Sequence, residues 1–157
     1  MQKKGAVMKK IISIIAIFAV FSNFSANAAE VPLANMRNKI FRECRAIQPL
    51  LKDSKDIVVL SGIWSSGAMT VSQLDAYFSM VGIFNAVDDK VFAEDPVAYL
   101  LSWLNEVKNT NAINIKSLDG ITSQVKPSTK KHVEKLRGYF DVLNTVLEDE
   151  LRRVSAL

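Results

Sequence analysis

The chain has 157 residues, 49% of them hydrophobic, with 20 basic and 16 acidic side chains, one histidine and one cysteine. That length builds one full hydrophobic core and is short for two ordinary domains, while a lone cysteine excludes an intramolecular disulfide. The excess of base is local: Lys3, Lys4, Lys9 and Lys10 precede every acid, and from Ala29 onward sixteen bases face sixteen acids. Nucleic-acid binding, which needs a basic stripe in the working protein, is therefore not indicated.

The first element is a leader. After the lysines, Ile11 to Phe21 is almost unbroken hydrocarbon, and Ser25-Ala26-Asn27-Ala28 places small residues where a signal peptidase cuts. A spanning helix needs roughly 20 apolar residues, and this run is about half that before it meets Ser22, Asn23 and Ser25. Residues 1–28 thus read as a cleavable Sec-type signal peptide cut near Ala28/Ala29, with no stable membrane anchor left behind. Met8 opens a more conventional leader than Met1, so either methionine is a candidate start. The lysine-rich design points to a bacterial source, and the expected product is a periplasmic or secreted domain of residues 29–157.

The rest reads as helix nearly throughout. Met36, Ile40, Phe41, Cys44, Ile47 and Leu51 recur at three and four residues, so a helix from about Leu33 to Gln48 carries an apolar stripe that includes the cysteine sulfur. Pro49 ends or kinks it, because proline lacks the backbone donor. Asp56 to Trp64 is rich in β-branched residues, yet no second strand exists for it to pair with, so it is expected as a buried helix closed by a turn at Ser65-Ser66-Gly67. Thr70-Val71-Ser72-Gln73 has the form of a capping box for a further helix bearing Leu74, Tyr77, Phe78, Val81 and Phe84. Asp95-Pro96 is a clear helix start, and Val97, Leu100, Leu101, Trp103, Leu104 and Val107 follow. Asn109 to Pro127 lacks a sustained period and is expected as a long loop. Last comes a helix capped by Ser128 and running to about Val154, with Val133, Leu136, Phe140, Leu143, Leu147 and Leu151 on one side. Glu148–Arg152 and Asp149–Arg153 have the spacing of helical ion pairs. The expected fold is an all-α, single-domain bundle of four to five helices with a long final helix, whose apolar side either projects in part past its neighbours or is covered by the loop from Asn109 to Pro127.

Charge is segmental. Residues 29–55 carry +3, residues 56–119 carry −5, and residues 120–157 carry +2. The simplest reading is an acidic middle neutralised by basic flanking helices; a charged docking face is the alternative.

Chemistry-bearing constellations are sparse. Gly62-Ile63-Trp64-Ser65-Ser66-Gly67 does not match a nucleophile elbow, and His132, flanked by lysines, has no triad spacing. One histidine and one cysteine do not make a zinc site, and Asp88, Asp89, Glu94 and Asp95 lack the calcium-loop pattern. No cofactor, no metal and no catalytic residues are expected, and the chain does not read as an enzyme. The function expected by elimination is an exported protein–protein interaction module, such as an inhibitor or immunity-type protein or an accessory subunit of an envelope machine. Its candidate partner contacts are Asn109, Asn111, Asn114, Lys116 and Asp119 in the loop, with Leu147 and Leu151 on the last helix, where a homodimer could also form. A small apolar ligand held between helices by the aromatic residues is the second reading, and a hydrolase using Ser66 or His132 the third.

Overall fold

The computed structural model describes residues 30–52, 56–87 and 95–157, so the expected leader and the acids Asp88, Asp89 and Glu94 lie outside the described residues. Four α-helices account for most of them: α1 (Glu30–Ile47), α2 (Ile57–Ala86), α3 (Pro96–Ile121) and α4 (Pro127–Val154), with a 3-10 turn (Gln48–Leu51) after α1. No strand occurs among the described residues, as an all-α fold requires.

Local chemistry sets several boundaries. Pro49 falls in the 3-10 turn, where its missing N–H ends the α-helical ladder of α1. At the start of α3, Asp95 Oδ1 accepts the Val97 amide at 2.9 Å and Pro96 occupies the first turn. Pro127, not Ser128, opens α4, so the expected serine cap is corrected to a proline start after Lys126.

Two larger expectations are overturned. No turn interrupts α2: Ser65, Ser66 and Gly67 lie in mid-helix, and the Thr70 hydroxyl donates back to the Ser66 carbonyl at 3.0 Å instead of capping a new helix. The segment Asn109 to Ile121, expected as loop, is the second half of α3. Asn111, Asn114 and Leu118 continue the buried stripe of Leu104 and Val107, because tertiary partners take up the amides that would otherwise favour turns. Nor does the last helix project. Its 28 residues compare with 30 in α2, and Leu147 and Val154 are fully buried.

The pairings give an up-down-up-down topology. On the α1–α2 seam Arg37 meets Asp75 and Cys44 meets Trp64; between α2 and α3, Gln73 meets Thr110 and Thr70 meets Asn114. Asn111 with Phe140 and Asp119 with Arg137 join α3 to α4, and α1 closes the ring against α4. In each of the first three seams rising numbers meet falling ones, so neighbours are antiparallel. The diagonal pair α2 and α4 is joined by Asp56–Thr129 and Tyr77–Glu150, both 73 residues apart, so these helices run parallel and in register. The longest apolar helix, α2, could cross a membrane by length and composition, yet a third of its most apolar stretch is buried inside the bundle.

The core mixes all four helices, with Leu33, Ile40, Ile63, Leu74, Tyr77, Leu104, Leu136, Phe140 and Leu143 nearly free of solvent. Tyr77 and Phe140 fill space, so aromatics expected as possible cavity lining are packing at these positions. On the α1–α2 seam, a Cβ added to Gly67 would collide with Cys44 Sγ. Any side chain at this position requires that sulfur to move.

Candidate binding groove

A groove opens on the seam between α1 and α4. α1 contributes Lys39, Arg42, Glu43 and Ala46, α4 contributes Lys135 and Tyr139, and the space enclosed is about 340 Å³. Lys39, Arg42 and Ala46 fall at three- and four-residue spacing, so one side of α1 presents two cations and a small residue that leaves room between them.

Glu43 forms the floor. It is 2% exposed, and its carboxylate accepts Lys135 Nζ at 2.6 Å on one oxygen while His132 Nδ1 lies 2.6 Å from the other. An ionised carboxylate only accepts, which assigns the proton of that contact to Nδ1. Two partners offset the desolvation that a buried carboxylate would otherwise suffer. The hydrogen bond to Glu43, aided by its charge, raises Lys135 above the ordinary lysine range, and the ammonium lies 5.9 Å from the Tyr139 ring centroid. His132, though flanked by lysines in sequence, is thus a partly buried side chain engaged with α1.

With Glu43 already engaged, the rim of the groove is cationic. Among the described residues no acid forms an ion pair with the exposed Lys39 or Arg42; the Arg42 guanidinium donates only to the Asn38 carbonyl, at 3.3 Å. On two of the other seams bases are matched, although the exposed Arg45, Lys52, Lys116, Lys126 and Lys131 form no ion pair among the described residues. Arg37 pairs with Asp75 at 2.8 Å, Lys108 with Glu148 at 2.9 Å, and Arg137 with both Asp119 and Asp141. Of the two electrostatic readings, mutual neutralisation therefore describes the α1–α2 and α3–α4 seams, and an unbalanced face describes α1–α4.

The seven residues expected to meet a partner do not assemble into a site. Asn111 and Asn114 are buried, their amides donating to the Phe140 carbonyl at 2.8 Å and to Thr70 Oγ1 at 3.2 Å. Asp119 is tied to Arg137 at 2.8 Å, while Asn109 and Lys116 are exposed on separate turns of α3. Leu147 is in the core and Leu151 is half-buried against it. The expected ion pairs at the end of α4 also rearrange: Asp149 takes Arg152, Glu150 takes Arg153, and Glu148 reaches α3. Sequence reasoning missed the groove because each half of it looks like an ordinary solvated face. The signal was the pair of basic segments at the two ends of the domain, which only the closure of α1 on α4 brings together.

Two other polar features belong to the framework. At the opposite end of the bundle the Tyr77 hydroxyl donates to Glu150, whose carboxylate also receives Arg153 Nε at 2.9 Å and Nη2 at 2.7 Å. Burial, then the neighbouring carboxylate, raises the Tyr77 phenol, and the hydrogen bond to Glu150 raises Arg153. On the α1–α2 seam, burial and the adjacent Glu43 push the Cys44 thiol up to about 11. Its folded value thus lies above the ordinary 9.0, so the contribution of this thiol to stability is complete below pH 9 and is lost as pH rises toward 11. Denaturant unfolding of wild type and Cys44→Ala across this range is expected to show a difference that narrows with rising pH; a constant difference would contradict a buried neutral thiol.

The chain matches no known family model, and comparison with curated proteins and with solved structures returns no match.

Proposed function

We propose that the domain from Ala29 onward is an exported bacterial interaction module, of inhibitor or immunity type or an accessory subunit of an envelope machine, and that the α1–α4 groove is its working face toward an acidic partner protein. The observation that supports this reading is the cationic rim: Lys39 and Arg42 stand unbalanced along the α1 wall of a groove whose own carboxylate, Glu43, is buried and engaged. Unbalanced charge on one face steers a partner of opposite sign and disfavours partners of like sign. The reading moves the contact surface from Asn109–Asp119 and Leu147–Leu151 to the α1–α4 seam.

A photo-crosslinking amino acid placed at Arg42 or Tyr139, in the full chain expressed in its own source, is expected to give one discrete adduct. The same probe at Ile113, 66% exposed on α3, is expected to give none. Lys39→Glu combined with Arg42→Glu is expected to lower the Tyr139 adduct about tenfold or more. Equal labelling from Ile113, or an adduct indifferent to charge reversal, would overturn the assignment of the groove.

A further inference from the structure

The end of the bundle where α2 and α4 begin carries a second surface, independent of the groove. Val58 is 82% exposed, Ile57 44% and Leu50 39%, a cluster of aliphatic side chains at one tip of the molecule. Val58 is the most exposed aliphatic side chain inside a helix among the described residues. The tip is placed by a hydrogen bond: the Thr129 hydroxyl, in the first turn of α4, donates to Asp56 Oδ2 at 2.8 Å, immediately before Ile57. This contact puts Lys126, Lys130 and Lys131, all exposed and within three residues of Thr129, beside the start of α2. Lys52, also exposed, follows the 3-10 turn that bears Leu50. The described acids here are Asp56, engaged with Thr129, and Glu134, paired with Lys130 at 3.7 Å.

We infer that this end of the bundle docks on the surface of an anionic phospholipid bilayer, inserting Leu50, Ile57 and Val58 among the headgroups while the lysines meet lipid phosphates. Two observations select a bilayer over a protein. The aliphatic side chains are exposed at a tip of the bundle, where a protein would need a matching cavity whereas a bilayer deforms around them. The cations surround that tip, the arrangement in which shallow apolar insertion and headgroup attraction act together. Neither contribution is large alone, so the attachment is reversible and differs from a spanning anchor. Docked in this way, the groove on the α1–α4 side is left open.

The test uses the chain from Ala29 to Leu157, which contains the four described helices, and sedimentation with vesicles of mixed phosphatidylglycerol and phosphatidylcholine, against vesicles of phosphatidylcholine alone. Binding is expected only to the anionic vesicles. Lys126→Glu and Lys131→Glu are each expected to weaken it about fivefold or more, and Val58→Asp about tenfold. Val142→Asp, which alters a 51% exposed valine on the flank of α4, is the control and is expected to leave binding unchanged. Circular dichroism verifies that each variant is folded, as substitution at exposed positions should allow. No binding to the anionic vesicles would overturn the inference, as would equal losses from Val58→Asp and Val142→Asp. Because Lys39, Arg42 and Tyr139 are untouched, its failure would leave the crosslinking test of the groove standing.

Discussion

Glu150→Ala is expected to destabilise the bundle by about 3–5 kcal/mol, the range for removing one partner from a buried ion pair. The carboxylate is 2% exposed and holds three donors at once: the Tyr77 hydroxyl and two nitrogens of Arg153. Removing it leaves the hydroxyl of a fully buried tyrosine without an acceptor, and a guanidinium held against the core without its counter-charge. For a domain of this size the loss corresponds to a fall of roughly 10 °C or more in Tm, readable by circular dichroism. Tyr77→Phe is expected to be milder, about 1 kcal/mol, because Arg153 still satisfies the carboxylate. Replacing the set together, as Tyr77→Phe, Glu150→Leu and Arg153→Met, is expected to recover most of the loss, since no charge is then buried unpaired. If Glu150→Ala proved as mild as Tyr77→Phe, the cluster would be a surface ion pair and its burial would be wrong.

Gly67→Leu is expected to cost about 3 kcal/mol or more, for the opposite reason. Here the seam lacks space, with Cys44 Sγ in collision with an added Cβ and side-chain atoms of Ile40 and Leu136 at 3.6 Å from it. Gly67→Ala is a subtler case. Alanine improves intrinsic helix stability by about 1 kcal/mol over glycine, while its Cβ forces the sulfur out of its place beside the Trp64 carbonyl. The diagnostic is therefore the double-mutant cycle with Cys44→Ala, in which Gly67→Ala should be better tolerated by about 1–2 kcal/mol than in the wild type. Additive effects would mean that the helices do not approach as closely as Gly67 and Cys44 indicate.

These two positions also show how far the residues could be read without coordinates. The spacing of Met36, Ile40, Cys44 and Ile47 and that of Val133, Leu136, Phe140, Leu143 and Leu147 correctly marks core faces, because one-sided burial of a helix imposes a period close to 3.6. Phe41 breaks the pattern: it is 40% exposed, with the Arg37 guanidinium 5.0 Å above its ring. Asp95-Pro96 was legible because a cap and an N1 proline act within three residues. Gly67 was misread as a turn, since a glycine needed for close helix contact has the same local signature as one needed for a bend. The second half of α3 was misread because Asn111 and Asn114 favour turns in isolation, and only Phe140 and Thr70, 29 and 44 residues away in sequence, make them good helix residues. The groove was illegible for a related reason. Lys39, Arg42 and Lys135 become neighbours only after three helical reversals, and nothing local to either segment records that meeting.

The order of the helices adds a kinetic consequence. α2, α3 and α4 follow one another through short connections, whereas α1 reaches α4 across most of the domain, joining Glu43 to His132 over 89 residues. The closure of that longest loop comes at the greatest entropic cost, so α1 is the helix whose partial release opens the ring with the least disturbance to the rest. Release of α1 also abolishes the groove, because four of its six lining residues, Lys39, Arg42, Glu43 and Ala46, leave with it. Anything bound there is therefore linked to the docked state of α1, and occupancy at a hundred times the dissociation constant would slow the opening-limited hydrogen exchange of its amides by about a hundredfold.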